Sequence, residues 1–338
     1  MQGSPPFNFG VTFPEGRGQR CSQTQIDDEA GYYRHRSWPD DGVAILTALG
    51  SPLIEVLGVC AVAGNVPLHH TVRNVRKVLE LAERHDVRVF AGAEAPLARP
   101  LFTAEYVHGE TGFDGYDLPE PTMPIQSQHA VDFIVEEVMS RPPKAITICA
   151  LGPLTNIAGA LGRDGRIAER IEQIVWMGGA LSEGGNVTPA AEFNCYVDPE
   201  AAERVLSSGA QVVMMPLDVT HKAHVTADRV QRLRTMRNKV GPIFAELLTY
   251  AKQFDWQKYG ADRAPMHDPT TVVWLLRPEL FSGLYVNVEI ETTSPLTTGM
   301  TVIDWWGVSN RQKNAYVVRD VDIEGFYDVI FESFRRLP

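Results

Sequence analysis

Hydrophobic positions along this chain change character at residue 40. Before it, residues 1–39 are rich in Gly, Pro, Gln, Arg and Ser and hold no sustained period, which predicts irregular or disordered chain. From Asp40 onward, apolar runs rich in β-branched residues alternate with stretches of helical spacing. The pattern predicts a helix over 40–50 and a buried strand over 54–63. A helix over 70–85 follows, with Val72, Val75, Val78, Leu79, Leu81 and Ala82 on its apolar positions, then a short strand over 87–91. Further on come an amphipathic helix over 130–139 and buried strands over 145–151, 171–177 and 211–217. Asp198 with Pro199 behind it and Gly209 further on brackets another helix. Apolar strands alternating with helices predict an α/β fold: an open, mostly parallel sheet with helices on both faces, starting at Asp40 and running to residue 338. The first strand is the doubtful one, because the segment just before Asp40, Gly31-Tyr32-Tyr33-Arg34-His35-Arg36, is not what a buried strand would choose.

Composition changes this picture little. The chain has 338 residues, 44% hydrophobic and 22% charged, enough to bury a large core without staples. Its net charge of −11 argues against duplex nucleic acid, which needs clustered Lys and Arg. Cys21, Cys60, Cys149 and Cys195 lack metal-ligand spacing and read as reduced thiols of a cytoplasmic protein. No run of 18 apolar residues predicts a membrane span, and residues 1–25 hold no secretory apolar stretch.

The candidate chemistry lies where strands end, as it does in open α/β sheets. Asp40 and Asp41 are adjacent carboxylates before an apolar run, a pair that can divide labour between a cation and a water proton. The loop 186–194 brings Asn186, Glu192 and Asn194 together, groups suited to sugar hydroxyls, though a polar surface loop has the same composition. His267-Asp268-Pro269 offers a proton donor beside a cation ligand, and equally a helix start with Asp as cap. His108 stands in a glycine-flanked loop. No G-x-G-x-x-G follows a strand, so a dinucleotide fold has little support.

Together these segments resemble the inosine–uridine-preferring nucleoside hydrolase family, from about Asp40 to beyond Asp304. The resemblance is carried by Pro39-Asp40-Asp41-Gly42, Ala63-Gly64-Asn65-Val66, Gly152-Pro153-Leu154-Thr155-Asn156, Met177-Gly178-Gly179-Ala180, the loop 186–194 with Asp198-Pro199, Leu217-Asp218-Val219-Thr220 and His267-Asp268-Pro269. It implies hydrolysis of the N-glycosidic bond of ribonucleosides, a bound Ca²⁺, and a dimer or tetramer. It further implies Asp40 as general base, and Asp41, the Thr155 carbonyl and Asp268 as calcium ligands. His267 matches the leaving-group acid. Asn65, Met177, Asn186, Glu192, Phe193 and Asn194 match the ribose side of the pocket, and His108 matches a histidine near the base. Aromatic residues such as Phe254 and Trp256, within 250–259, could stack on a base or pack in a core. Such chemistry needs a hard cation with six to eight oxygen ligands, a base for water and an acid for the departing purine or pyrimidine.

The match fails just upstream. The family pattern D-T-D-x-G-x-D-D laid on residues 34–41 puts Arg34 and Arg36 on acidic positions, and Arg36 on a calcium ligand. A guanidinium has five donors and no acceptor, so it cannot ligate a cation. Two readings follow: a hydrolase, or a catalytically impaired ribonucleoside-binding protein with a broken calcium site. Residues 27–39, read one base later, are compatible with M-M-K-P-V-I-I-D-T-D-P-G-P, an apolar strand and the missing acidic motif in register with Asp40. The glycine is forced, because Trp38 has a single codon and that of Pro39 begins with C. A frameshift from one lost base predicts that the gene's codons for 27–39 spell this peptide when read one base over. Codons that cannot do so would refute it.

Overall fold

A computed structural model describes residues 7–13, 40–103, 116–259 and 264–338, with 7–13 and 251–259 described as backbone only. The strands are β1 (Phe7–Phe13), β2 (Ile54–Ala61), β3 (Val89–Ala91), β4 (Ile146–Ala150), β5 (Ile171–Met177), β6 (Val212–Met215), β7 (His224–Val225), β8 (Ala264–Pro265), β9 (Phe281–Ile290), β10 (Thr301–Asp304) and β11 (Ala315–Val321). Among the described residues, nine of them form one sheet in the order β10-β9-β11-β6-β5-β4-β1-β2-β3. From β11 through β3 the neighbours pair in parallel, while β9 pairs antiparallel with both β10 and β11. The sheet is thus mostly parallel, as the alternation of strands and helices predicts.

Alternating side chains of each central strand feed two separate cores. In β4, Ile146, Ile148 and Ala150 join one apolar cluster and Cys149 the other. In β5, Ile174 and Trp176 face the same way as Ile148, and Val175 faces the opposite side. One core takes Phe133 and Ile134 of the helix Ala130–Ser140, with Ile157 and Leu161 of Thr155–Arg163. The other takes the first helix, Asp40–Leu49, every residue of which is buried, with apolar residues of Leu68–Leu81 and Ile323–Phe334. Two-sided burial is why these strands read as apolar runs instead of alternating patterns. Cys60, Cys149 and Cys195 are buried free thiols. Among the described residues no helix is long and apolar enough to cross a membrane.

The predicted elements lie within a few residues of their observed bounds, and the N-terminal segment departs from expectation. Residues 7–13 are a strand, and it fills the slot between β2 and β4. Phe7, Phe9, Val11 and Phe13 alternate with Asn8, Gly10 and Thr12, a period-2 pattern short enough to be lost among the surrounding Gly and Pro. The slot itself demands a strand, since without one β2 and β4 would each present an open edge inside the molecule. Both strands pair with Val11, which stands opposite Val59 on one side and Cys149 on the other. Val11→Pro removes a central N–H donor and is expected to lower stability by about 1–3 kcal/mol. Urea unfolding measures this, and an unchanged midpoint would place 7–13 outside the sheet.

Candidate active site

Asn65, Thr155, Met177 and the loop 186–194 lie at or beyond the carboxyl ends of β2, β4 and β5, whereas His267 and Asp268 follow β8 of the small antiparallel pair β7-β8. Asp40 and Asp41 form the first turn of the helix Asp40–Leu49 and are 4% and 5% exposed. Two carboxylates suit a helix start, whose exposed N–H groups and dipole favour negative charge. The backbone N–H of His267 donates to Asp40 Oδ2 at 3.2 Å, joining residues far apart in sequence. Asp268 follows at the start of the helix Pro269–Leu276, and its side chain makes no capping hydrogen bond. The helix start read from the sequence is thus present, with Asp268 at the cap position and Pro269 first in the helix, and only the side-chain capping bond is missing. Instead its carboxyl faces the other acids. Burial, the charges of Asp40 and Asp41, a hydrogen bond with Asp41 and the charge of Glu192 hold it well above the usual carboxylate range.

The sugar-side residues are anchored by their own hydrogen bonds. Glu192 caps the helix Phe193–Val197: Oε1 accepts the Asn194 N–H at 3.0 Å, and Oε2 accepts that of Gly179 at 2.9 Å and of Cys195 at 3.3 Å. Asn194 Nδ2 donates to the carbonyls of Leu151 (2.9 Å) and Met177 (3.0 Å), clamping the ends of β4 and β5 together. Met177 also offers its sulfur to that amide at 3.4 Å. Asn186 Oδ1 accepts the Phe193 N–H at 2.9 Å. The ring of Phe193 is spent on packing, in a small cluster with Val187, Ala191 and Val197. Asn65 is 3% exposed, and its buried Oδ1 has no hydrogen-bond partner among the described residues. An orphaned buried acceptor is costly in a folded protein and marks a place where a ligand donor fits. His108 and the side chains of Phe254 and Trp256 lie outside the described residues.

Thr155 opens the helix Thr155–Arg163, and its hydroxyl donates to Asp198 Oδ2 at 2.7 Å. That bond occupies the side chain, so the carbonyl is the group Thr155 has to offer a cation. The donor set of Asp41, Asp268 and this carbonyl fits a hard oxygen-seeking cation in chemistry and supplies part of its shell. Crowded buried carboxyls are what such a cation relieves. The fit is incomplete: among the described residues, no group of three His, Cys, Asp or Glu side chains is arranged to hold one ion. Arg36, on the position of a further ligand, lies outside them.

The model of the inosine-uridine preferring nucleoside hydrolase family matches residues 38–328. The chain belongs to this family. Its members are ribonucleoside hydrolases, enzymes acting on N-glycosyl bonds. An uncharacterized protein of Schizosaccharomyces pombe is 52% identical over 299 residues, covering 88% of this chain and 96% of its own. A pyrimidine-specific ribonucleoside hydrolase, RihA, of Citrobacter koseri is 45% identical, covering 87% of this chain and 94% of its own. Among solved structures, a plant nucleoside hydrolase superposes with a TM-score of 0.86 at 27% identity, covering 98% and 99% of the two chains. A purine-preferring enzyme of Gardnerella vaginalis gives 0.84, also at 27%, covering 97% and 98%.

Two residues gain importance that the sequence reading left as parts of a motif. Thr220 Oγ1 stands 2.7 Å from His267 Nδ1, and Asp218 ties down the loop after β5. Asp218 accepts the N–H groups of Leu181 (2.7 Å) and Ser182 (2.9 Å) and the Ser182 hydroxyl (2.6 Å). A polar pair inside the apolar run after β6 was the available signal. Burial pushes the Asp218 carboxyl up, but the Ser182 hydroxyl and the two N–H groups outweigh it and leave it below the usual range. A lowered folded-state pKa gives stability present above the ordinary carboxylate range and lost as pH falls through it. Asp218→Asn is therefore expected to lower Tm near neutrality, with the gap to wild type closing in acid. A gap independent of pH would refute this.

Proposed function

We propose that this hydrolase cleaves the N-glycosidic bond of pyrimidine ribonucleosides, releasing the free base and ribose. The observation that carries the site assignment is the meeting of Asp40, Asp41 and Asp268 in one buried place with His267 at its border. The pyrimidine preference rests on RihA, 45% identical and named pyrimidine-specific, against the 27% identity of the purine-preferring enzyme.

Asp40 takes the proton of the attacking water, its carboxylate oriented by the His267 N–H. Asn186, Glu192 and Asn194 hold the ribose, Asn65 adds an acceptor for a hydroxyl, and Met177 lies against the sugar. His267 gives a proton to the departing base, with His108 on the base side. Asp41, Asp268 and the Thr155 carbonyl would hold Ca²⁺, which when bound supplies coordination for water and sugar hydroxyls and raises the water's acidity. The enzyme works in the cytoplasm as a dimer or tetramer.

Arg36 favours a second reading, a ribonucleoside binder whose calcium site lacks a ligand. Ribose release from uridine and from inosine, with and without added Ca²⁺, separates the two. The hydrolase reading expects release that favours uridine, depends on Ca²⁺ and falls roughly 10²–10⁴-fold in Asp40→Asn. Binding of uridine without any release would establish the second reading instead.

A further inference from the structure

We infer that Thr220 is a positioning residue for His267, holding its ring at Nδ1 so that Nε2 is the nitrogen left to serve the leaving base. The inference rests on the reading of His267 as leaving-group acid. Thr220 is fully buried at the end of the short helix Leu217–Thr220, and its hydroxyl lies 2.7 Å from His267 Nδ1. Several other helical threonines behave differently. Thr47, Thr249, Thr270 and Thr271 each donate to a carbonyl three or four residues back, the usual habit of a helical hydroxyl. Thr220 spends its hydroxyl on the imidazole.

The contact is held from both sides. The Thr220 N–H donates to the Pro216 carbonyl at 3.2 Å, and the N–H of Ala223 returns to the Thr220 carbonyl at 3.1 Å. Just beyond, β7 pairs with β8, setting His224 opposite Pro265 and Val225 opposite Ala264. Met266 N–H donates to the Ala223 carbonyl at 2.8 Å, one residue before His267. The backbones carrying hydroxyl and ring are thereby stitched together, so the side-chain bond costs little further ordering. A neutral imidazole has one donor and one acceptor nitrogen, and the bond made by one sets the role of the other. The Thr220 oxygen can accept from Nδ1–H, so an imidazolium can give its Nε2 proton to the base and end as the neutral ring, held at Nδ1 throughout.

The test uses the full chain with ¹⁵N-labelled histidine, and His267→Ala assigns the ring signals. Wild type is expected to show an Nδ1 signal shifted by its hydrogen bond to Thr220. Thr220→Ser should keep that shift, and Thr220→Val, equal in shape but without the hydroxyl, should lose it. Unchanged ring signals in Thr220→Val would overturn the inference, whether or not the chain is active. Kinetics give a second readout with uridine and p-nitrophenyl β-ribofuranoside, whose leaving group departs without protonation. Thr220→Val should lower kcat for uridine roughly tenfold with little change in KM and spare the nitrophenyl riboside, and serine should restore the rate. If His267→Ala hits uridine selectively while Thr220→Val does not, the positioning role is refuted. If His267→Ala slows both substrates alike, the leaving-group role of His267 fails, and the ring signals alone decide for or against Thr220.

Discussion

Three aspartates gathered in one buried place set the terms for the rest of this molecule. Asp40, Asp41 and Asp268 are each nearly inaccessible, and Asp268 is pressed toward its protonated form by burial and by its neighbours. An apolar core built this way would be unstable, because charge leaves water at great cost unless something answers it. The helix dipole behind Asp40 and Asp41 and the His267 N–H answer part of it.

The sheet exists to hold that centre still. Its parallel strands are buried on both faces, and their carboxyl ends are clamped by polar side chains instead of by more apolar packing. Asn194 joins the ends of β4 and β5, and Asn156 bridges the Ala61 carbonyl and the Ala93 N–H. Glu192 and Asp218 gather the N–H groups of the loops around them. These residues are satisfied by backbone, so they shape the pocket before any ligand arrives. Preorganised polar groups are the costly part of such a pocket, and here the fold provides them in advance.

The N-terminal region shows where local pattern and global demand part. The alternation of Phe7, Phe9, Val11 and Phe13 is too short to be distinguished from chance among Gly and Pro. Its weight comes from the vacancy between β2 and β4, which no local window reveals. The family likeness in sequence begins at residue 38, two residues before Asp40. Strand β1 therefore enters the sheet without the acidic motif that the family pattern sets immediately before the aspartate pair. The same contrast holds at Asp268, where Asp-Pro spells a helix start perfectly well. Its freedom from capping follows only from Asp41 standing within hydrogen-bond reach.

By itself the sequence determined the α/β class and the alternation of strands and helices from Asp40 to about residue 217, and it named the candidate site residues. Those rest on periodicity and on motifs, both of which are local properties of the chain. It also determined the conflict at Arg36, since a guanidinium can accept nothing wherever it is placed. Tertiary structure alone decided which groups answer one another: the His267 N–H on Asp40, the Thr220 hydroxyl on the His267 ring, Asp268 beside Asp41. These partners lie from 47 to 227 residues apart where hydrogen bonds join them, so no spacing rule connects them. Folding brings them into contact because the pairing of β7 with β8 carries His267 back to Thr220, and the His267 N–H ties that segment to the start of the helix Asp40–Leu49.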